Sequence, residues 1–252
     1  MSEPGFNPHG VTIGVSVPRR RSIAHRLIGL ALRLQGARVR YLRPGPGRSV
    51  DGLDGLVLAG GTHVHPARYG QQPTVKANYD LSRDTTDQQL LEAASSQCLP
   101  VLGICRGAQF VNVFRGGSLC QNVTPLRVNT RHRPLLLPLQ TVRVVTDSRL
   151  GRILDAPVIG ANRIHSQAIK RLGGALRVVA VDNDCFVQAF EGTGPQWLVG
   201  VQWHPEYLLY HPGHRRLFRV FVQAARAFRA GERPPAPITG ELHHRRAQGD
   251  QP

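Results

Sequence analysis

Cys105 lies in the stretch GICRG, residues 103–107, with a glycine two positions away on each side. A cysteine that only fills a core has no need of such neighbours. A nucleophile on a sharp turn between a strand and a helix does, because nearby side chains must be small for the turn to close. The apolar run LPVLGI before Cys105 reads as the strand, and RGAQFVNVF after it as the helix. The free N–H groups and dipole at that helix start favour a thiolate, the form of cysteine that attacks a carbonyl carbon.

Amide cleavage by a thiolate also requires a proton donor for the departing amine and a group that orients the donor. VGVQWHPEY, residues 199–207, offers both. Proline at 205 keeps His204 out of a helix, and residues two apart on an extended chain share a side. Glu206 can then hold the His204 ring as the acid of a triad does. The tetrahedral oxyanion needs backbone donors as well. The Arg106 N–H is one, and Gly60–Gly61, closing the apolar run LDGLVLAGG, are candidates for a second. Taken one at a time, each feature has a plainer reading: a buried cysteine near glycine, a tight turn, a structural histidine before proline. Their joint placement at strand ends favours a site.

The elements that must hold these residues alternate. Strands are expected at 10–18, ARVRYL, LDGLVLAGG and LPVLGI. A helix starts at Ser22 with apolar residues Ile23, Leu27, Leu30, Ala31 and Leu34, and Gly36 closes it. A second helix is expected from a Thr85–Gln88 capping pair to about Gln97. The strands are continuous apolar runs, as in a parallel sheet covered on both faces. The second half changes to TVRVVT, LRVVAV, CFVQAFE and WLVGVQW, strands with few helices between them, with DND as a turn. A last helix carries the stripe Leu217, Val220, Phe221, Ala224 and Phe228. The expected architecture is an α/β core with an antiparallel insertion, one domain over residues 1–230, and a disordered tail over 231–252.

Composition narrows the function classes. The 252 residues carry a formal charge of +16, nearly all of it arginine, with Lys76 and Lys170 the only lysines. The arginines are scattered, so solvated faces explain them better than a nucleic-acid surface, and no nucleic-acid motif is present. No apolar run reaches the ~20 residues of a membrane span. The polar start MSEPGFNPHG is unlike a secretory signal. A cytoplasmic location is expected, with Cys98, Cys120 and Cys185 as small buried hydrophobes.

With these residues in view, the chain resembles the class I glutamine amidotransferase-like family, and within it the gamma-glutamyl-gamma-aminobutyrate hydrolase branch. The resemblance rests on GICRGAQFVNVFRGGSLCQNV, GVQWHPEY, GGTHVHPARYG and NRIHSQAIK, and covers most of residues 11–230. It implies a flavodoxin-like three-layer α/β/α sandwich with a mostly parallel central sheet. It also implies hydrolysis of a gamma-glutamyl amide through a glutamyl thioester. Cys105 carries over as nucleophile, His204 as general base and acid, Glu206 as its partner, and Gly61 and Arg106 as oxyanion donors. Gln109, His63 and His165 fall in stretches that border the substrate.

The departures from the branch are His63 where an acidic or amide residue is usual, His65 after it, Arg163 for a serine, and Tyr207 for a tryptophan. They put the amine portion of the substrate in question. Metal ligation by the two loop histidines is a thin alternative, since no carboxylate or cysteine accompanies them. The expected enzyme takes a small gamma-glutamyl substrate and uses no metal or cofactor. A homodimer is left open. Two other readings stand beside it: a glutaminase subunit that feeds ammonia to a partner synthase, and an inactive basic binding protein.

Overall fold

The structure, a computed structural model, describes residues 10–130 and 135–232. In chain order the first half runs β1 (Thr12–Ser16), α1 (Ile23–Arg33), β2 (Arg38–Leu42), β3 (Gly55–Leu58), α2 (Leu81–Ser96), β4 (Val101–Ile104) and α3 (Arg106–Phe114). The second half runs β5 (Ser118–Cys120), β6 (Leu135–Val144), α4 (Arg149–Leu154), β7 (Val158–Arg163), β8 (Ala168–Arg171), β9 (Leu176–Asp182), β10 (Val187–Gly192), β11 (Leu198–Val201) and α5 (Pro212–Arg229).

Among the described residues, nine strands form one sheet in the order β2-β1-β3-β4-β11-β10-β9-β6-β7, and β5 and β8 form a separate pair. The first five strands of that order are parallel. The other four are antiparallel and enter the chain between α3 and β11, as the insertion expected from sequence. Each central strand is apolar on both sides. Val57 and Leu102 pack with Ile28, Leu217 and Phe221 under α1 and α5, whereas Leu56, Leu58 and Val101 pack with Leu90, Leu91 and Phe110 under α2 and α3. This is the three-layer α/β/α sandwich. The order reverses between β1 and β3, so the crevice for a ligand opens at the carboxyl ends of these strands.

Several local expectations are corrected. In α1, Ile23, Leu30 and Leu34 of the expected stripe face solvent, with Ile23 68% and Leu34 67% exposed, and Leu27 is half-buried; Ala31 is buried as expected, and Ala24, Ile28 and Leu32 join it on the buried face. Both sets have helical spacing. The set with small residues wins because it lets the helix lie close to the sheet. The α2 helix begins four residues before Thr85, where the Asp80 side chain accepts the Arg83 N–H at 3.0 Å. In α5 the buried face is Leu217, Phe218, Phe221, Val222 and Ala225, with Val220 and Ala224 packed at its border. Cys98 and Cys185 are exposed and Cys120 half-buried, not core. Cys98 and Cys185 occupy left-handed backbone at φ 54° and 62°, at chain reversals rather than inside elements. Of the expected tail, residues 233–252 lie outside the described residues. Among the described residues no helix is long and apolar enough to cross a membrane.

Candidate active site

The sheet brings the two sequence motifs together. β4 pairs with β11 in parallel, Ile104 opposite Val201, and the Cys105 N–H continues the ladder to the Val201 carbonyl at 2.8 Å. His204 follows three residues later, just past the same sheet edge. Cys105 itself has φ 52° and ψ −108°, a backbone state costly for a residue with a side chain. It is held there by tight packing around the turn. A methyl group on Gly107 would lie 1.9 Å from the Leu58 carbonyl oxygen, so only glycine lets α3 start this close to β3. The flanking glycines of the sequence are thus packing requirements of the turn.

His204 is fixed from three sides. Its Nδ1 lies 2.7 Å from Glu206 Oε1, and Glu206 is fully buried on the short 3-10 turn that starts at Pro205. The His204 N–H donates to Asn162 Oδ1, and Asn162 Nδ2 donates back to the His204 carbonyl, each at 2.8 Å. The ring packs against Gly60, where a Cβ would fall 2.6 Å from its Cε1. Burial alone would lower the His204 pKa, yet it is raised well above the ordinary imidazole value. The charges of Cys105 and Glu206 outweigh burial, and both residues hydrogen-bond the ring. With Nδ1 engaged by Glu206, Nε2 is the nitrogen left for the sulfur. The Tyr207 ring lies 5.8 Å from the imidazole and lines its outer side.

A cavity of about 80 Å³ opens on Cys105 and is walled by Gly61, His63, Gln109 and His165, among others. Its roof is two loops tied together. His63 Nε2 lies 2.6 Å from Ser166 Oγ, and Val64 N donates to Gln167 Oε1 at 3.1 Å. Burial lowers the His63 pKa, which keeps the ring neutral at neutral pH. His165 is buried, with Nδ1 2.9 Å from the Gln167 carbonyl. His65 points elsewhere: it caps the next turn through Nδ1, 3.2 Å from Ala67 N, and packs edge-on to Tyr79. Arg163 does not wall the cavity. It sits among the charges of Arg127, Asp182 and Asp184 at the antiparallel end of the sheet.

Residues without a marked sequence motif of their own complete the site. Gln202 Nε2 donates to the Cys105 sulfur at 3.7 Å, and its Oε1 accepts from Gln109 Nε2 at 3.0 Å. Its signal is present in the sequence, because Gln202 precedes His204 by two residues on an extended segment. Asn162 and Gln167 lie in the NRIHSQ element, which stands out by resemblance alone. Behind the cavity, the buried Arg106 guanidinium bonds both Asp84 and Asp87, and the Ser16 hydroxyl also bonds Asp87. Arg83 and Asp87, four apart on α2, face each other at 3.6 Å. No sequence signal marks these as interior, since charged helix positions ordinarily face water.

Residues 46–206, the span from before Gly60 through Glu206, match the Peptidase C26 family, and the chain belongs to that family, whose members are class I glutamine amidotransferase-like. Its family membership makes it a hydrolytic-type enzyme. It is 37% identical over 179 residues to "Putative glutamine amidotransferase PB2B2.05" of Schizosaccharomyces pombe, covering 69% of this chain and 70% of that protein. It is 32% identical over 165 residues to gamma-glutamyl-gamma-aminobutyrate hydrolase PuuD of Escherichia coli K12, covering 62% of this chain and 65% of that protein. Among solved structures, a glutamine amidotransferase from Thermotoga maritima superposes with a TM-score of 0.58 at 17% identity. That match covers 88% of this chain and 93% of the other, a likeness of fold.

Proposed function

We propose that this protein is a cysteine-dependent hydrolase that cleaves the gamma-glutamyl amide bond of a small gamma-glutamyl amine through a glutamyl thioester. The observation that carries the reading is the His204 ring, bonded at Nδ1 to Glu206 and set beside Cys105, whose charge raises its pKa. The Cys105 sulfur attacks the side-chain carbonyl carbon and the carbonyl oxygen becomes an oxyanion. The N–H groups of Gly61 and Arg106 receive that charge. His204 gives its proton to the amide nitrogen, the C–N bond breaks, and the free amine leaves. Water then attacks the thioester, with its proton taken by His204, and glutamate departs as the thiol reforms. The cavity between His63, Gln109 and His165 takes the glutamyl group. The scheme requires no metal, cofactor or second chain.

Purified protein should release glutamate and free amine from gamma-glutamyl derivatives of γ-aminobutyrate, polyamines or amino acids. Cys105→Ala should abolish the release. Undiminished release by that variant would contradict the scheme.

A second reading is a glutaminase that supplies ammonia to a separate synthase. What favours it is the name of the Schizosaccharomyces pombe relative, which is more similar in sequence than the hydrolase of Escherichia coli. Glutamine included in the same panel decides between them. Turnover of free glutamine above all other compounds, rising when a synthase is added, supports the second reading. Preference for a substituted gamma-glutamyl amide supports the first. An inactive basic scaffold would leave every compound in the panel intact.

A further inference from the structure

We propose that Arg83 and His25 are positioning residues for the oxyanion hole, acting through the single peptide unit that joins Gly60 to Gly61. The inference rests on the reading above, in which the Gly61 N–H receives the oxyanion.

A peptide unit is planar and trans, so its carbonyl and its N–H point in opposite directions. The Gly60 carbonyl and the Gly61 N–H belong to one such unit. The carbonyl is gripped from behind: Arg83 Nη1 donates to it at 2.8 Å, and His25 Nε2 lies 3.3 Å away. The tautomer of His25 follows from its other nitrogen. Ser22 N donates to Nδ1 at 2.9 Å, so the ring proton is on Nε2 and points at Gly60. Burial holds the His25 pKa down at about 4, so the ring is a neutral donor in ordinary working conditions. With the carbonyl held on the far side, the Gly61 N–H faces the cavity.

Arg83 cannot drift from this task. Its Nη2 donates to the Ala59 carbonyl at 2.7 Å and to the Ser16 carbonyl at 3.3 Å, so one planar fork bridges the ends of β1 and β3. It is fully buried beside Asp87. Burial, then the nearby Arg106 charge, lower its pKa to about 10, which leaves it protonated near neutral pH. A Cβ on Gly61 would fall 2.2 Å from Arg83 Nη1, so the cation lies directly behind the donor residue and only glycine admits it there. A positive charge at the carbonyl end draws electrons from the N–H and makes it a stronger donor. It also stabilises an anion formed on the other side. Both effects grow as charge develops at the substrate oxygen, which is when they speed the reaction. The second proposed donor residue, Arg106, is tied to the same cluster through Asp84 and Asp87. α2 therefore supports both donors.

The test compares two reactions of Cys105 that differ in one respect. p-Nitrophenyl acetate transfers its acetyl group to the sulfur through a tetrahedral oxyanion and releases p-nitrophenolate. Iodoacetamide alkylates the sulfur by displacing iodide, with no oxyanion. In Arg83→Gln the acetylation burst should slow by about 10²-fold, the typical loss for an oxyanion donor, while alkylation keeps its rate. Arg83→Lys, which keeps the charge and one donor, should recover part of the loss. His25→Gln should show the same selectivity at smaller size, and it decides the matter if the Arg83 variants do not fold. On a gamma-glutamyl amide the loss should fall on kcat with KM held.

Equal slowing of acetylation and alkylation would reduce both residues to a structural role and overturn the proposal, as would unchanged acetylation. No acetylation burst in the unaltered protein would overturn it as well. If gamma-glutamyl amides are not hydrolysed but the selective loss with p-nitrophenyl acetate is seen, the substrate reading fails and the positioning role stands.

Discussion

Glu206 and His204 form a buried pair, Oε1 to Nδ1 at 2.7 Å, on a chain segment that turns sharply at Pro205. The pairing sets which ring nitrogen faces Cys105, and it holds a positive charge on the ring despite burial. Two partners raise the His204 pKa, Cys105 and Glu206, against a lowering by burial. Removing either should bring it down.

Glu206→Gln keeps the shape and removes the charge. We expect kcat to fall by about 10⁴-fold, as in a triad whose acid is replaced by its amide. The His204 ring, followed by nuclear magnetic resonance, should titrate lower than in the unaltered protein. The alkaline limb of the rate profile should move down with it, since the proton that the departing amine needs is lost earlier. An unmoved titration would mean that Glu206 does not set the charge of the ring.

Gln202 bridges Gln109 and the sulfur. Gln202→Leu removes the donor on Cys105 and frees Gln109 to rotate. A loss of about 10-fold in kcat/KM is expected, the size of one hydrogen bond of about 1–1.5 kcal/mol. Gln202→Glu should be worse than Gln202→Leu, because a carboxylate beside the thiolate repels it. Equal activity in the two variants would mean that no charge repulsion acts on the sulfur from position 202.

The cluster behind the cavity makes a stability prediction. Asp87→Ala leaves the buried Arg106 with Asp84 alone and takes away the carboxylate facing Arg83. Breaking a buried pair from one side costs about 3–5 kcal/mol. Chemical denaturation should show a loss of that order, whereas Glu92→Ala, on the exposed side of α2, should change stability little.

What can be read ahead of the structure, and what cannot, divides along physical lines. The grouping of Cys105 with His204 and Glu206 is legible because Cys105 and the His204–Glu206 segment each follow the end of an apolar strand, and a parallel sheet lines up its strand ends. The Cys105 turn is legible through its glycines. The buried face of α1 is not, because two sets of apolar residues share the helical period and only packing against the sheet selects Ala24 and Ile28 over Ile23 and Leu34. The Arg83, Asp84 and Asp87 cluster is hidden for a similar reason: a charged helix face reads as solvated until a second cation, Arg106, is brought to it from α3. Arg163 stands out in the sequence as a departure near the substrate, yet its strand carries it to the far charge cluster.

His214 makes the acid-stability prediction. It is buried at the start of α5, 6.1 Å from the Trp203 ring, and burial followed by the His211 charge lowers its pKa to about 4. Below about pH 6.5 the unfolded chain takes up a proton here that the folded chain refuses. Stability should therefore fall as pH drops from about 6.5 to about 4 and level off beneath that, by about 3 kcal/mol for this one group. In His214→Phe that part of the acid sensitivity should vanish, whatever its stability at neutral pH. The same slope in both proteins would show that His214 titrates normally.

In the proposed reaction, sulfur 105 takes the glutamyl group of the substrate. The direct measurement is mass spectrometry of protein quenched in acid during turnover of its best gamma-glutamyl amide, followed by digestion. The peptide containing Cys105 should gain one glutamyl group, hydroxylamine should remove it, and Cys105→Ala should never acquire it. Glutamate release with no adduct on that peptide under any quench time, or an adduct on another residue, would contradict the proposed reaction.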